Sequence, residues 1–265
     1  MNRLNDTEFQ SKKSKFVPYI MSGHPGYESS IDIALTLQDS GVDAVEWGVP
    51  FSDPLADGPV IQEAGEQSRK GGGSLRKALK GLKEAREKGL EIPVVLFTYI
   101  NPVLSLGFNE LILEMKKADV DGLLIPDLPF EESDELRKLC NVEGISLISL
   151  IAPSSNHRME KISRLGDGFL YYVTSLGVTG TRESFSDLLA SNISELKKTA
   201  QVPVLAGFGI STREHVRYFQ DISDGVIVGS ALVKFISERQ QELKDNKTKK
   251  EALQEIKVFV QDLIS

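Results

Sequence analysis

The sequence predicts an α/β fold: a single (β/α)8 TIM barrel with extra helices, occupying residues 1–265 as one domain. Three observations lead there. Eight short runs are apolar along most of their length, as strands of a parallel sheet covered on both faces must be. Segments with helical spacing of apolar residues alternate with those runs, the pattern of repeated βα units. No linker or low-complexity tract divides the 265 residues, a length that such barrels reach as one domain.

The elements follow in order. "FVPYIM" from Phe16 is the first strand, and "SGHPG" turns the chain after it, placing His24 beyond the strand end. "DAVEWG" from Asp43 is the second, with Glu46 near its end. The longest gap follows, so an extra helix is expected over Gln62 to Arg69, and "GGG" at Gly71 to Gly73 reads as a loop between helices. Leu75, Leu79 and Leu82 mark one face of a helix that starts after Ser74 and stops at Gly89. The later strands are "PVVLFTY" from Pro93, "DGLLIP" from Asp121, "ISLISLI" from Ile145, "GFLYYVT" from Gly168, "VPVLAGF" from Val202 and "DGVIVG" from Asp224. Leu111, Ile112 and Met115 mark one intervening helix, and Leu136, Leu139 and Cys140 another. A final amphipathic helix carries Leu253, Ile256, Val260 and Leu263, and "KDNKTKK" reads as a solvated turn.

Composition narrows function. A net charge of -7 argues against a nucleic-acid or anionic-membrane binder, though not against a phosphate held by backbone amides. No segment approaches the apolar length of a membrane span, and "MNRLNDTEFQSKKSKF" lacks the apolar run of a signal peptide. One cysteine, Cys140, permits no internal disulfide, which fits a cytoplasmic protein.

Active sites in these barrels lie on the loops after the strands. Glycines 207, 209 and 229 fall on the loops after strands seven and eight, where backbone N–H groups and a helix N-terminus can hold phosphate, and Ser230 adds a hydroxyl. Alternatively these glycines only make tight turns. Glu46 interrupts an apolar strand. It reads as a general acid/base at the barrel mouth, partly buried and with its pKa raised, or as an outward acid paired with a helix. Asp57 lies eleven residues on, in the proline-stiffened "VPFSDPLADGP", and spacing does not choose between it and Asp53. "SLGVTGTRESF" after strand six reads as a lid or an ordinary long loop. No lysine lies in the eight predicted strands for Schiff-base chemistry, and the three histidines, His24, His157 and His215, are too scattered for a metal site. Cys140 reads as core.

The run "VEWGVPFSDPLADGPVIQ", continued by "TYINPVLSLG", "DGLLIPDLPFEES", "LISLIAPS", "LGVTGTR", "VPVLAGFGIS" and "DGVIVGSALVK", resembles the tryptophan synthase α subunit over nearly the whole chain. The resemblance implies a lyase that splits indole-3-glycerol phosphate into indole and glyceraldehyde 3-phosphate. It implies that Glu46 and Asp57 are catalytic and that Pro50 and Asp53 belong to a partner-facing loop. It places Gly180, Phe208, Gly209, Gly229 and Ser230 at the phosphate, Thr179 on the lid, and Phe97, Tyr99 and Tyr171 around the indole. It implies a β-subunit partner in an αββα heterotetramer, with pyridoxal phosphate in the β subunit only and no metal. A stand-alone indole-releasing lyase, a non-catalytic barrel that activates the β subunit, and another phosphate-binding barrel are the alternatives. His24, Trp47, Val60 and Ile100 depart from the family pattern without removing a catalytic residue.

Overall fold

The structure, a computed structural model, describes residues 2–153, 156–174, 182–207 and 209–265. Eight parallel strands close into a barrel in sequence order: β1 Lys15–Met21, β2 Val45–Gly48, β3 Val94–Phe97, β4 Gly122–Leu124, β5 Ser146–Ile151, β6 Leu170–Val173, β7 Val204–Gly207 and β8 Gly225–Val228. The helices are α1 Thr7–Ser11, α2 Tyr27–Asp39, α3 Pro59–Lys70, α4 Leu75–Glu87, α5 Ile100–Leu106, α6 Phe108–Lys117, α7 Asp134–Val142, α8 Asn156–Arg164, α9 Arg182–Thr199, α10 Arg213–Ile222, α11 Ser230–Ser237 and α12 Lys249–Ile264.

Side chains alternate across each strand and so build two cores. Val17, Tyr19, Met21, Val95, Phe97, Leu124, Tyr171, Leu205 and Ile227 fill the barrel interior. Phe16, Ile20, Val45, Trp47, Leu96, Leu123 and Val226 pack outward against the helices. Trp47 belongs to this outer layer, where its indole N–H donates to the Ala78 carbonyl at 3.1 Å. Its large ring therefore fills the seam between β2 and α4, not the space beside Glu46. Cys140 is buried in the outer core, as expected.

The extra helix is α3, which opens on Pro59, where the missing proline N–H is no loss. Ser74 caps α4 by accepting from the Lys77 N–H at 3.3 Å, and Gly89 follows its end at φ +102°. Helix α5 was not expected from the sequence. Its first turn contains Pro102, and its Ile100 N–H donates to Asp127 Oδ1 at 2.9 Å, a cap supplied from the loop after β4.

The polar N-terminal stretch seals the barrel's lower end. Leu4 and Phe9 are buried there, with Phe9 6.4 Å from the Phe169 ring. Asp121, 1 % exposed, ties this plug to the wall by accepting from Arg3, from Arg86 and from the Val94 N–H. One expectation needs correcting here: β1 begins at Lys15, so a lysine does lie in a strand. Its ammonium meets the Lys12 carbonyl and the Phe9 ring at the end opposite the mouth. "KDNKTKK" is also more ordered than a solvated turn, since Lys249 opens α12 and pairs with Asp32 at 2.8 Å. Among the described residues, no helix is long and apolar enough to cross a membrane.

Candidate active site

At the upper end of the barrel a cavity of about 360 Å³ is lined by residues from five strands and from the segments that follow β2, β7 and β8. Glu46 faces it from β2, level with Tyr19 of β1 and Val95 of β3. The outward reading of Glu46 is therefore wrong. Its burial is complete rather than partial: the residue is 1 % exposed, and Oε1 has no hydrogen-bond partner among the described residues. Losing water with nothing in return disfavours the charged form, and the carboxyl is pushed up to about 8.

The loop after β2 brings Asp57 to the same cavity. Its N–H donates to the Pro54 carbonyl at 3.2 Å, so Pro54 to Asp57 fold into a turn that sends the carboxyl inward. Burial pushes Asp57 up to about 6, and a hydrogen bond from the Tyr99 hydroxyl limits the rise. Asp53 is exposed on the outer side of the loop and accepts from its neighbour Ser52. The choice that spacing left open thus falls on Asp57 as the acid at the mouth. Pro50 is buried at the foot of the loop, against the Gly73 turn, so it does not face outward with Asp53. The outermost apolar residue of this loop is Leu55, 87 % exposed.

Phe97 and Tyr171 line the cavity as expected. Tyr99 stands one layer behind. It stacks on Phe51 at 5.2 Å, accepts from the Ala56 N–H at 3.1 Å and donates to Asp57, so it holds the acid loop. Tyr99→Phe removes both bonds. Asp57 should then titrate above about 6, and the acid limb of the activity profile should move to higher pH; an unmoved limb in kcat/KM against pH would deny Tyr99 this role.

Gly209, Ile210, Ser211, Gly229 and Ser230 line the same cavity from the segments after β7 and β8. Gly209 has φ +74°, a left-handed conformation that glycine adopts without cost. Ser230 begins α11, so the helix N-terminus opens on the cavity and favours an anion there. Thr179, Gly180, Phe208 and the core of the expected lid lie outside the described residues.

Sequence reading missed Tyr19, Ile61, Ile210, Ser211 and Ile227, all of which line the cavity. The alternation from Val17 was a usable signal for Tyr19; Ile61 had none, because α3 reaches the mouth only in three dimensions. His24 does not reach the mouth. It is 3 % exposed, with Nε2 2.9 Å from Ser237 Oγ, and burial lowers it to about 4. Among the described residues no three His, Cys, Asp or Glu side chains come together as around a metal.

This arrangement pairs two acids of displaced pKa with an anion-binding end inside one cavity. A family profile described as Tryptophan synthase alpha chain matches residues 6–261. The chain belongs to the tryptophan synthase alpha chain family. It is 46% identical over 265 residues to the tryptophan synthase alpha chain of Halalkalibacterium halodurans, covering 100% of both chains. The crystal structure of tryptophan synthase subunit alpha from Legionella pneumophila superposes with a TM-score of 0.87 at 32% identity, covering 100% of this chain and 97% of that one. A chain of the tryptophan synthase complex from Pyrococcus furiosus superposes at 0.82 with 36% identity, covering 96% and 98%. As a tryptophan synthase alpha chain, the protein carries Glu46 and Asp57 on the barrel's loop-bearing end, the end where this fold places active sites.

Proposed function

We propose that the chain cleaves indole-3-glycerol phosphate to indole and glyceraldehyde 3-phosphate, using Glu46 as acid and base and Asp57 as a fixed negative charge. The observation that carries this reading is the split between the two carboxyls, one at about 8 and one at about 6, facing one cavity. At neutral pH the first is protonated and the second ionised, which assigns opposite roles to the same chemical group.

Glu46 gives its proton to indole C3. The ring becomes cationic, and the Asp57 carboxylate accepts from the ring N–H and opposes that charge. Glu46, now ionised, takes the proton of the hydroxyl on the adjacent side-chain carbon. The carbon–carbon bond breaks, its electron pair returns to the ring, and the aldehyde forms. Glu46 ends protonated, as it began. The phosphate is held by the Gly209 and Gly229 backbone, Ser230 and the α11 N-terminus, with Gly180 and Phe208 assigned to the same end, and Thr179 to the lid, by family resemblance.

In this reading the protein is the α subunit of an αββα assembly in the cytoplasm. Pyridoxal phosphate belongs to the β subunit, and this chain's chemistry needs no metal. The family resemblance assigns the loop that carries Asp57, on which Leu55 is exposed, to a docked partner that also sets the acid's position. The test is indole release from indole-3-glycerol phosphate by the purified chain, alone and with the β subunit of the same organism. Slow release that rises strongly with β is expected. Fast release that β does not change would favour a stand-alone lyase, and none in either condition would overturn the reading.

A further inference from the structure

Tyr19 lines the cavity, and the chemistry above does not use its hydroxyl. Its side chain leaves β1 beside Gly229, at the anion-binding end, where a Cβ on that glycine would lie 3.6 Å from Tyr19 Cβ. The ring meets Phe97 edge-on at 5.5 Å and ends over Gly48, close to Glu46. Only a glycine admits it there, because a Cβ at position 48 would come within 2.1 Å of the hydroxyl oxygen. The residue thus spans the cavity from the phosphate end to the acid. Tyr19 is 3 % exposed, and among the described residues its hydroxyl donates to the Met21 thioether alone, at 4.0 Å, a weak acceptor. A buried donor so poorly satisfied is costly, and the cost falls when a ligand oxygen arrives.

We infer that Tyr19 is a substrate-positioning residue whose phenol donates a hydrogen bond to the side-chain hydroxyl oxygen from which Glu46 takes the proton. The inference rests on the reaction proposed above. A substrate whose phosphate sits at Gly229 and Ser230 and whose indole meets Glu46 and Asp57 must lay its glycerol carbons along the Tyr19 ring. The phenol neither gains nor loses a proton. It orients the oxygen before transfer and polarises the carbonyl as it forms. Burial, with Asp57 and Glu46 nearby, drives its ionisation well above the usual phenol range, so it remains a neutral donor.

Tyr19→Phe removes one oxygen and keeps the ring. With the β subunit present, we expect kcat/KM for indole-3-glycerol phosphate to fall about tenfold, the value of one lost hydrogen bond at this strength. Inhibition by the analogue whose three-carbon chain carries the phosphate but no hydroxyls should be unchanged, as should the melting temperature. Unchanged kinetics, or equal losses for substrate and deoxy analogue, would overturn the inference, the latter by showing a merely structural role. Failure of the wild-type chain to release indole would instead overturn the reaction itself.

Discussion

Glu46→Gln should lower indole release by about 10²–10⁴-fold, the range for loss of a general acid/base, while making the fold more stable at alkaline pH. The two effects share one cause. Among the described residues Glu46 Oε1 has no hydrogen-bond partner, and the burial of the residue tunes it for proton transfer and penalises its charge. Its pKa is about 4.5 in the unfolded chain and about 8 when folded. The unfolded state therefore loses this proton first, and stability falls as pH rises from about 4.5 to about 8, then levels off. The full effect is on the order of 5 kcal/mol. Glutamine cannot ionise, so the variant's advantage in melting temperature should be largest near pH 8.5 and should close toward pH 4.5. A difference between variant and wild type that does not change between pH 4.5 and pH 8.5 would mean that Glu46 does not titrate across this window in the fold, and the acid role would fall with it.

Asp57→Asn should reduce kcat by about 10²–10³-fold, the scale seen when one preorganised electrostatic partner of a transition state is removed. Asparagine keeps the size and can still accept from the ring N–H, so the loss isolates the charge. Asp57 sits on a half-buried loop, and its side chain accepts from the Tyr99 hydroxyl, which a carboxamide oxygen can also do. The melting temperature should therefore hold. In the wild type, cleavage needs Asp57 ionised and Glu46 protonated, so the profile of kcat/KM should fall below about 6 and above about 8. Near-normal turnover by Asp57→Asn would show that charge opposite the ring is not what the loop supplies.

The barrel itself was legible in the sequence because its signals are local. A strand covered on both faces must be apolar along its length, and eight such runs, separated by helical spacing, leave few alternatives to closure. Glu46 stood out for the same reason, as a charge inside such a run. The resemblance named Asp57, but the residues alone did not: Asp53 and Asp57 share one loop, and the turn at Pro54 sends only Asp57 inward, where Tyr99 from the loop after β3 meets it.

Other assignments also needed contacts between distant parts of the chain. Helix α5 starts where it does because Asp127, 27 residues away, caps it. Trp47 and Glu46 are neighbours in sequence but face opposite sides of the sheet, one into the helix layer and one into the cavity. Periodicity says that two adjacent residues point apart; the neighbouring strands and helices decide which side is the active site. The sequence by itself determined the order of the elements and which stretches are buried, since both follow from runs of apolar residues. Only the tertiary structure decided which polar groups are buried together, because the stagger of the closed sheet sets Tyr19, Glu46 and Val95 at one level and buries the acid there.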